Sequence, residues 1–208
     1  MIIGVDGYAG AGKDTVADVF VKVGFKKISF ADALRESVVH STGFSLDTFI
    51  DRDKKDKLFD VSFTLSSTVL TRFCDYLGYA DRTQEVVDKF TGTLLTSPRD
   101  ILVFLGTEVG RSTLNQTIWL DKYDEKRQGF TYVVTPDCRF SNERDHIKSM
   151  KGQVFWVYRD GVEPKSGHIS ENDKWEVDKY DVLVHNQNML ILQSELAMWW
   201  SVTGGKIW

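Results

Sequence analysis

The chain has 208 residues, of which 42 % are hydrophobic and 27 % charged, a globular composition that excludes disordered, collagenous and coiled-coil chains. Its 26 Lys and Arg residues against 30 Asp and Glu residues give a formal net charge of −4. No overall basic field is therefore available to hold a polyanion, so we expect no nucleic-acid partner, whereas a small phosphorylated ligand needs only a local positive site.

Sequence features also favour a cytoplasmic location. No apolar run approaches the ~20 residues that span a bilayer, and the first residues indicate a strand rather than a signal peptide. Cys74 and Cys138 have neither metal-ligand spacing nor disulfide density, which favours reduced thiols, and the four histidines form no metal-binding pair. We therefore expect no membrane partner and no metal site built from Cys or His.

The chain opens with a strand, a glycine-rich turn and a helix. Residues 2–5 are a short apolar run that meets glycines at positions 7, 10 and 12. From Thr15 onward apolar residues recur on one helical face, formed by Val16, Val19, Phe20 and Val23. The change of period predicts a strand followed directly by a helix.

A second strand and helix follow, and the pattern then weakens. Residues 26–30 predict a short strand, and Asp32 is placed as the N-cap of a helix that runs through Leu34 and Val38. Residues 51–57 carry mixed charges, typical of a solvated helix face or a loop. The alternation across 61–66 favours a hairpin arm.

A sharp helix start comes at Ser97 and Pro98, with Ser as the N-cap and Pro at the first helical position. The apolar residues that continue this helix on one face are Ile101, Leu102, Leu105 and Val109. Another helix is expected over 116–126. We interpret the stretch at about 36–127 as a mainly helical insertion in a single domain of residues 1–208.

Strands resume in the last third of the chain. They are predicted at 131–135, 154–158 and 181–184, with a polar helix over 141–150 and a closing amphipathic helix over 189–200. Five short apolar strands separated by helical connections predict an α/β fold. We expect a five-stranded parallel sheet covered by helices on both faces.

The segment Gly7-Tyr-Ala-Gly-Ala-Gly12-Lys13-Asp14-Thr15 carries the strongest functional pattern. A bound phosphate chain needs inward-pointing backbone N–H groups, glycines where a Cβ would block its approach, a lysine at the β/γ-phosphates and a helix N-terminus behind them. The spacing favours this P-loop interpretation over an ordinary glycine-rich turn. We predict that Lys13 is catalytic. We also predict that ATP binds to the residues of this segment, which are Gly7, Gly10, Ala11, Gly12, Lys13, Asp14 and Thr15.

Asp14 departs from the usual P-loop pattern, in which Ser or Thr follows the lysine. A carboxylate is a good Mg²⁺ ligand, so Asp14 and the next residue, Thr15, are the candidate metal ligands. The alternative is that Asp14 is a helix N-terminal acid favoured by the dipole, an effect of only ~0.3–1 kcal/mol.

Asp137, Arg139 and Arg159 follow the third and fourth predicted strands, at the carboxyl edge where ligands of parallel sheets bind. Asp137 can lie near Mg²⁺ or bond the acceptor substrate, and Arg139 can clamp a phosphate bidentately; a surface ion pair is the alternative. Arg159 can stack on an adenine ring or remain a surface arginine. From the pattern alone, Arg35 and Arg99 are solvated helix residues and Trp119 is a core residue.

Several segments, in the same order over about 7–171, resemble bacteriophage-type deoxynucleoside monophosphate kinases. They are Gly-x-x-x-x-Gly-Lys-Asp-Thr at 7–15, Phe30-Ala-Asp-Ala-Leu-Arg35, Pro98-Arg99 with Leu105-Gly-Thr-Glu108, Trp119, Asp137-x-Arg139 with Asn142-Glu143, and His168-Ile-Ser-Glu171. Residues 45–95, which should help to form the pocket for the acceptor base, match nothing in the pattern. The base that is accepted therefore stays open.

The resemblance implies a nucleoside monophosphate kinase fold that uses ATP and Mg²⁺, with a deoxynucleotide acceptor under the inserted helices. It places Arg35, Arg99, Trp119 and Arg139 on the acceptor side. We also predict that Asp137 and Glu143 bind the acceptor and that Arg99 and Arg139 are catalytic. By their positions in the sequence, Arg144 and Lys165 are candidates for the basic residues of a lid over the active site. A phage-encoded enzyme would work in the host cytoplasm, and the assembly that we consider is a homodimer.

Two other functions are weighed against this one. A kinase for another small metabolite, such as a coenzyme A precursor or phosphomevalonate, would carry the same P-loop. A P-loop switch or regulatory module is less favoured, because no Asn-Lys-x-Asp or Thr-Lys-x-Asp guanine-reading element occurs.

Overall fold

The computed structural model describes residues 1–163 and 180–202. These residues form two compact units. Unit 1 consists of residues 1–30 together with the described residues from 123 onward, and unit 2 consists of residues 31–122. Within the described ranges, no helix is long and apolar enough to cross a membrane.

Unit 1 contains a five-stranded sheet, and every strand pair in it is parallel. Its strands, in the spatial order β2-β5-β1-β6-β7, are β2 (Lys26–Lys27), β5 (Val133–Thr135), β1 (Ile2–Gly7), β6 (Gln153–Tyr158) and β7 (Val182–His185). Their carboxyl ends meet at one edge. The predicted α/β fold with a five-stranded parallel sheet is confirmed.

Helices cover both faces of this sheet. Ile3 and Val5 of β1 belong to a buried cluster with residues of α1 (Lys13–Lys22) and α10 (Met189–Val202), including Phe20 and Leu196. On the opposite face, a Cβ atom on Gly4 would lie 3.3 Å from Ile147 of α9 (Ser141–Ser149). Buried on both faces, β1 has the near-continuous apolar sequence of a central parallel strand.

Unit 2 is mainly helical. Its elements are α2 (Asp32–Thr42), α3 (Leu46–Ile50), α4 (Arg52–Lys55), α5 (Ser67–Leu77), a 3₁₀ turn (Ala80–Arg82), α6 (Thr83–Phe90), α7 (Pro98–Phe104), a π-helix (Leu105–Leu114) and the start of α8 (Ile118–Arg127). Two short strands, β3 (Phe63–Thr64) and β4 (Leu94–Leu95), pair antiparallel. A single buried apolar cluster joins α2, α5, α6, α7 and the π-helix.

Two helix starts in unit 2 test the capping predictions. Ser97 Oγ accepts a hydrogen bond from Asp100 N at 3.1 Å, with Pro98 in the first turn, so the predicted N-cap of α7 is confirmed. The predicted N-cap at Asp32 is wrong by one residue, because α2 begins at Asp32 and Ala31 is its cap. The Asp32 carboxylate is turned instead toward Arg35, at 3.1 Å.

The predicted continuation of the α7 helix through Val109 is wrong in type, because the backbone widens into a π-helix after Phe104. Close packing accompanies the change. A Cβ atom on Gly106 would lie 2.8 Å from Leu34 Cδ2, and one on Gly110 would lie 2.7 Å from Trp119 Cζ2. The two glycines therefore let neighbouring side chains approach the backbone of the π-helix.

Candidate active site

The turn between β1 and α1 has the backbone of a phosphate-binding loop. Gly7, Gly10 and Gly12 adopt positive φ angles of 147°, 91° and 93°, which L side chains rarely adopt. A Cβ atom on Gly7 would also lie 2.3 Å from Val157 O of the neighbouring strand. Glycine at position 7 is therefore required both by conformation and by space.

Helix α1 begins at the end of this loop. Its N-cap is Gly12, and in the described part of the chain no side chain caps this end. Ala11 N donates to Tyr8 O at 3.1 Å and closes the turn that precedes the helix. Because a helix N-terminus presents backbone N–H groups and the positive end of the helix dipole, the loop fits an anionic phosphate chain.

The Lys13 side chain lies over the loop. Its Nζ donates hydrogen bonds to Gly7 O at 2.7 Å and to Tyr8 O at 3.0 Å. The ammonium group is thus next to the loop glycines, where the sequence predicts that the β/γ-phosphates bind.

The Asp14 carboxylate forms an ion pair with Lys27 of β2, at 2.9 Å, and the Asp14 side chain is 78 % exposed. Lys27 also contacts Asp18, one turn further along α1, at 3.1 Å. Partial burial alone would lower the pKa of Lys27, but its hydrogen bonds with Asp14 and Asp18 outweigh burial and raise it. A metal ion bound by Asp14 would compete with Lys27 for this carboxylate.

Thr15 offers the other candidate metal ligand. Its Oγ1 lies 3.7 Å from the position that a Cβ on Gly12 would occupy, so the hydroxyl is on the loop side of the helix. Within the described ranges, no group of three or more His, Cys, Asp or Glu residues can hold a metal ion. One hydroxyl and one carboxylate fit Mg²⁺ that takes its remaining ligands from phosphate oxygens and water.

Asp137 and Arg139 follow β5 at the carboxyl edge of the sheet, as predicted from the sequence. Asp137 Oδ1 accepts a hydrogen bond from Phe30 N at 2.9 Å, which ties the end of β5 to the segment after β2. The Arg139 side chain is exposed. Its backbone is held on both sides, because Arg139 N donates to Glu143 Oε2 at 2.8 Å and Arg139 O accepts from Arg144 Nη1 at 2.9 Å.

Two charged residues close to Arg139 in the sequence are buried, and their contacts differ from the roles predicted for them. Glu143, predicted on the acceptor side, is 3 % exposed and accepts hydrogen bonds from Arg139 N and Phe140 N, so it shapes the loop backbone. Arg144, a lid candidate by position, is 0 % exposed and pairs with Asp6 at 2.9 Å, so the lid interpretation is wrong. Lys165 and residues 168–171 lie outside the described residues.

Arg159 follows β6, beside the P-loop strand. The β1–β6 register pairs Gly7 with Val157, so Arg159 lies two residues beyond the neighbour of the first loop glycine, and it is exposed. This position is at the sheet edge that carries the loop. Its predicted stacking on adenine stays a prediction.

Within unit 2, both arginines predicted on the acceptor side are held by carboxylates. Arg99 binds Asp56 with two guanidinium nitrogens, and the Nη2–Oδ2 distance is 3.0 Å. The hydrogen bonds to Asp56 raise the pKa of Arg99. Arg35 Nη1 contacts Asp32 Oδ1 at 3.1 Å.

Trp119, predicted to contact the acceptor, is a core residue of unit 2 in the structure. It is 4 % exposed, and its Nε1 donates to Gly106 O at 2.9 Å. A stacking role needs an exposed ring face, so this prediction does not fit the observed burial. The indole instead supports the π-helix.

Sequence reasoning missed several residues near these groups. Asn186, just after β7, donates from Nδ2 to Ala11 O at 2.8 Å, and the carboxyl-edge rule that selected Asp137 also applies to it. In unit 2, a cavity of about 280 Å³ is lined in part by Lys54, Lys57 and Pro98, the residue before Arg99. The mixed charges of residues 51–57 gave no sign of this cavity.

The parallel sheet, the glycine loop and the lysine at the start of α1 define the class of P-loop nucleotide-binding proteins. A family model described as "Deoxynucleotide monophosphate kinase" matches residues 54–196, more than half of the chain. The chain therefore belongs to the deoxynucleotide monophosphate kinase family, and the family resemblance expected from the sequence is confirmed.

Viral relatives of this chain match it over most of its length at low sequence identity. The deoxynucleotide monophosphate kinase of Enterobacteria phage T4 is 23 % identical over 82 % of this chain and 86 % of its own length. The deoxynucleoside-5'-monophosphate kinase of Escherichia phage T5 is 25 % identical over 71 % of this chain and 72 % of its own length. The solved dephospho-CoA kinase of Campylobacter jejuni is 14 % identical over 97 % of this chain and 98 % of its own, with a TM-score of 0.39, too low to bear on function.

Proposed function

We propose that the protein transfers the γ-phosphoryl group of ATP to a deoxynucleoside 5′-monophosphate, producing ADP and the deoxynucleoside diphosphate. The observation that carries this proposal is the glycine loop with the Lys13 ammonium folded over it, in a chain of the deoxynucleotide monophosphate kinase family. The phage T4 and T5 relatives, named for this type of substrate, support the choice of acceptor.

The transfer needs no strong general base. An oxygen of the acceptor phosphate forms a bond to the γ-phosphorus, the bond from that phosphorus to the bridging β,γ-oxygen breaks, and ADP leaves with the electron pair. The attacking oxygen is already anionic, so catalysis consists mainly of alignment and charge stabilisation.

Each charged residue has a distinct part in this proposal. Lys13 and the loop amides hold the β/γ-phosphates, and Arg159 contacts the adenine of the donor. Arg99 and Arg139 hold the acceptor phosphate and the transferred group, because a planar guanidinium binds phosphate with two parallel hydrogen bonds.

The helical insertion serves the acceptor in this proposal. Arg35 belongs to it, and Asp137 contacts the acceptor from the sheet edge. The bounds of unit 2, residues 31–122, resemble those predicted for the insertion, which supports treating it as a separate acceptor-binding region.

Asp14 and Thr15 are the residues that would hold Mg²⁺. When bound with ATP, the ion neutralises phosphate charge that moves during transfer. Asp14 would exchange Lys27 for this role, and because Asp14 is 78 % exposed, the exchange costs little desolvation.

Small molecules are the proposed partners. ATP and a deoxynucleotide require only local positive groups, whereas the net charge of −4 disfavours nucleic acid. The phage relatives support a reaction in the host cytoplasm. A homodimer stays a prediction, which sedimentation of the purified chain would test.

A panel of nucleoside and deoxynucleoside monophosphates, with a coenzyme A precursor and phosphomevalonate added, tests the proposal when each is incubated with ATP and Mg²⁺ and analysed for phosphorylated products. We expect one or more deoxynucleotides to yield diphosphate in equal amount to ADP. Product only from a coenzyme A precursor or phosphomevalonate would instead identify a metabolite kinase, which the family membership does not favour. Slow ATP hydrolysis at the same rate with and without each acceptor would indicate a P-loop switch.

A further inference from the structure

A buried carboxylate lies directly beneath the P-loop. Asp6, the residue before Gly7, is 0 % exposed. Its Oδ1 accepts a hydrogen bond from Gly7 N at 2.6 Å, and its Oδ2 accepts from Arg144 Nη1 at 2.9 Å and from the Tyr180 hydroxyl at 2.8 Å. Asp6 thus fixes the first glycine of the loop to two side chains from distant parts of unit 1.

Arg144 connects this carboxylate to the loop that carries Arg139. It is 0 % exposed, and the nitrogen that binds Asp6 also donates to Arg139 O at 2.9 Å. The neighbouring Glu143 accepts from Arg139 N, so the backbone of Arg139 is held from both sides. One guanidinium nitrogen therefore joins the P-loop to the proposed phosphate clamp.

A buried ion pair is a costly way to fill a core. Desolvation of two charges can exceed their attraction, and well-packed hydrophobic residues of similar volume often serve stability equally well. What apolar side chains cannot supply is directional hydrogen bonding to Gly7 N and Arg139 O. The pair therefore provides a geometric constraint that packing alone would not.

We propose that Asp6 and Arg144 are positioning residues that hold the P-loop and the Arg139 loop in fixed alignment for phosphoryl transfer. This inference rests on the proposed function of Arg139. Neither side chain needs to touch a substrate. Asp6 acts through the backbone N–H of Gly7 in the P-loop, and Arg144 acts through the backbone carbonyl of Arg139. The Tyr180 hydroxyl also donates to Oδ2 of Asp6 and helps to fix the orientation of the carboxylate.

The gentlest test is Tyr180→Phe, which removes one hydroxyl and keeps the ring. We expect kcat to fall by about three- to tenfold and the KM values for ATP and acceptor to stay within about twofold, with a melting temperature that falls by a few degrees because a buried carboxylate loses one hydrogen bond. A kcat equal to that of the parent would overturn the assignment of Tyr180 and Asp6 to alignment. The matched control is Lys148→Ala, which removes a partly exposed ion pair between α9 and Asp181 and should leave kcat unchanged.

A double-mutant cycle with Arg144→Lys and Arg139→Lys separates positioning from a merely structural role. Lysine keeps the positive charge but replaces the planar fork by a point charge. If Arg144 acts through Arg139, the double variant loses about as much kcat as the worse single variant. If the two fold-losses multiply, Arg144 does not act through Arg139 and the inference fails.

The double variant Asp6→Leu/Arg144→Met gives an independent measurement, because it replaces the pair by apolar residues of similar size. We expect a folded protein with a melting temperature lowered by several degrees, because Gly7 N and Arg139 O lose these hydrogen bonds, and with kcat lowered by at least about tenfold. Parental kcat in that folded variant would overturn the inference. If this variant does not fold, the double-mutant cycle of Arg144 and Arg139 still tests the inference. A wild-type protein that phosphorylates no monophosphate would refute the proposed function and not this alignment role.

Discussion

The Asp56 carboxylate occupies the guanidinium fork of Arg99, with 3.0 Å between Arg99 Nη2 and Asp56 Oδ2. This is the bidentate geometry that the proposed acceptor phosphate would use. Both side chains are partly exposed, at 42 % for Arg99 and 46 % for Asp56, and ion pairs of this kind contribute only about 0–1 kcal/mol. A phosphate dianion can therefore displace Asp56 at small cost.

Asp56→Asn should lower the KM for the acceptor by about two- to fivefold, because a neutral amide competes less well for Arg99. Steady-state kinetics with varied acceptor and saturating ATP measures the change. Asp47→Asn is the control, since Asp47 pairs with Lys54 at similar exposure in the same unit. An acceptor KM that rises in Asp56→Asn would show that Asp56 helps binding instead of competing with it.

Arg→Lys substitution at Arg99 or Arg139 should raise the acceptor KM or lower kcat, while the KM for ATP changes little. The physical reason is that an ammonium cannot replace the planar fork that grips phosphate with two hydrogen bonds. Kinetics with each substrate varied in turn gives the comparison. Equal losses for ATP and acceptor would mean that these arginines serve the donor or the fold.

Lys13→Ala should leave the fold intact and reduce transfer by at least about a hundredfold, because it removes a positive group from the developing phosphate charge. Circular dichroism and turnover, measured on the same preparation, provide the two readouts. Lys22→Ala, an exposed lysine at the other end of α1, is the matched control and should keep parental turnover. Activity within about tenfold of the parent would contradict the P-loop role.

The sheet could be predicted from the sequence because its signals are local. Apolar runs ending in turn residues mark β1, β5 and β6, and the glycine spacing before Lys13 marks the loop. The π-helix could not be predicted in this way. It is accompanied by the close approach of Leu34, which is far from Gly106 in the chain, to the backbone of the π-helix.

The burial of charged side chains could not be predicted from sequence patterns either. Arg144 is placed in the core by a carboxylate 138 residues away, and no local pattern relates the two. Trp119 illustrates the opposite problem, because an aromatic ring has the same sequence appearance whether it stacks on a ligand or fills a core. The position of Arg139, by contrast, followed directly from the rule that functional residues lie beyond the carboxyl ends of parallel strands.

The Cys74 thiol should be unreactive in the folded protein. Burial raises the pKa of Cys74 to about 11, from an ordinary value of 9.0, so at pH 8 about one molecule in a thousand carries the thiolate. Burial raises the pKa of Cys138 as well. Iodoacetamide at pH 8, followed by mass spectrometry, should modify neither thiol in minutes under native conditions and both after unfolding in urea.

The same pKa shift sets a pH dependence of stability. Above about pH 9 the thiol of Cys74 ionises in the unfolded chain but remains protonated in the folded one, so the unfolded state binds fewer protons. The free energy of unfolding should therefore fall as the pH rises from about 9 to 11. Urea titrations of the parent and of Cys74→Ala at pH 8 and 10 measure this term, and an equal fall in both would assign it to other groups.

Asp14→Asn tests the residue that departs from the usual P-loop pattern. The amide keeps the size and helix-starting ability of the side chain but loses the charge, so support for Mg²⁺ weakens where phosphate charge moves. We expect maximal activity at low Mg²⁺ to fall by about tenfold or more and to return in part as the Mg²⁺ concentration rises. Activity as a function of Mg²⁺ concentration, measured for parent and variant, gives this comparison.

Asp18→Asn is the control that isolates the metal role of Asp14 from its ion pair. Both carboxylates contact Lys27, at 2.9 Å for Asp14 and 3.1 Å for Asp18, but Asp18 lies one turn beyond the P-loop. If only the contact with Lys27 matters, the two variants should behave alike and show a small change in stability, with little change in rate. If Asp14 binds the ion, the Mg²⁺ dependence should shift in Asp14→Asn and stay parental in Asp18→Asn. Parallel Mg²⁺ curves with an unchanged maximal rate in Asp14→Asn would end the metal role of this carboxylate and leave Thr15 as the P-loop ligand.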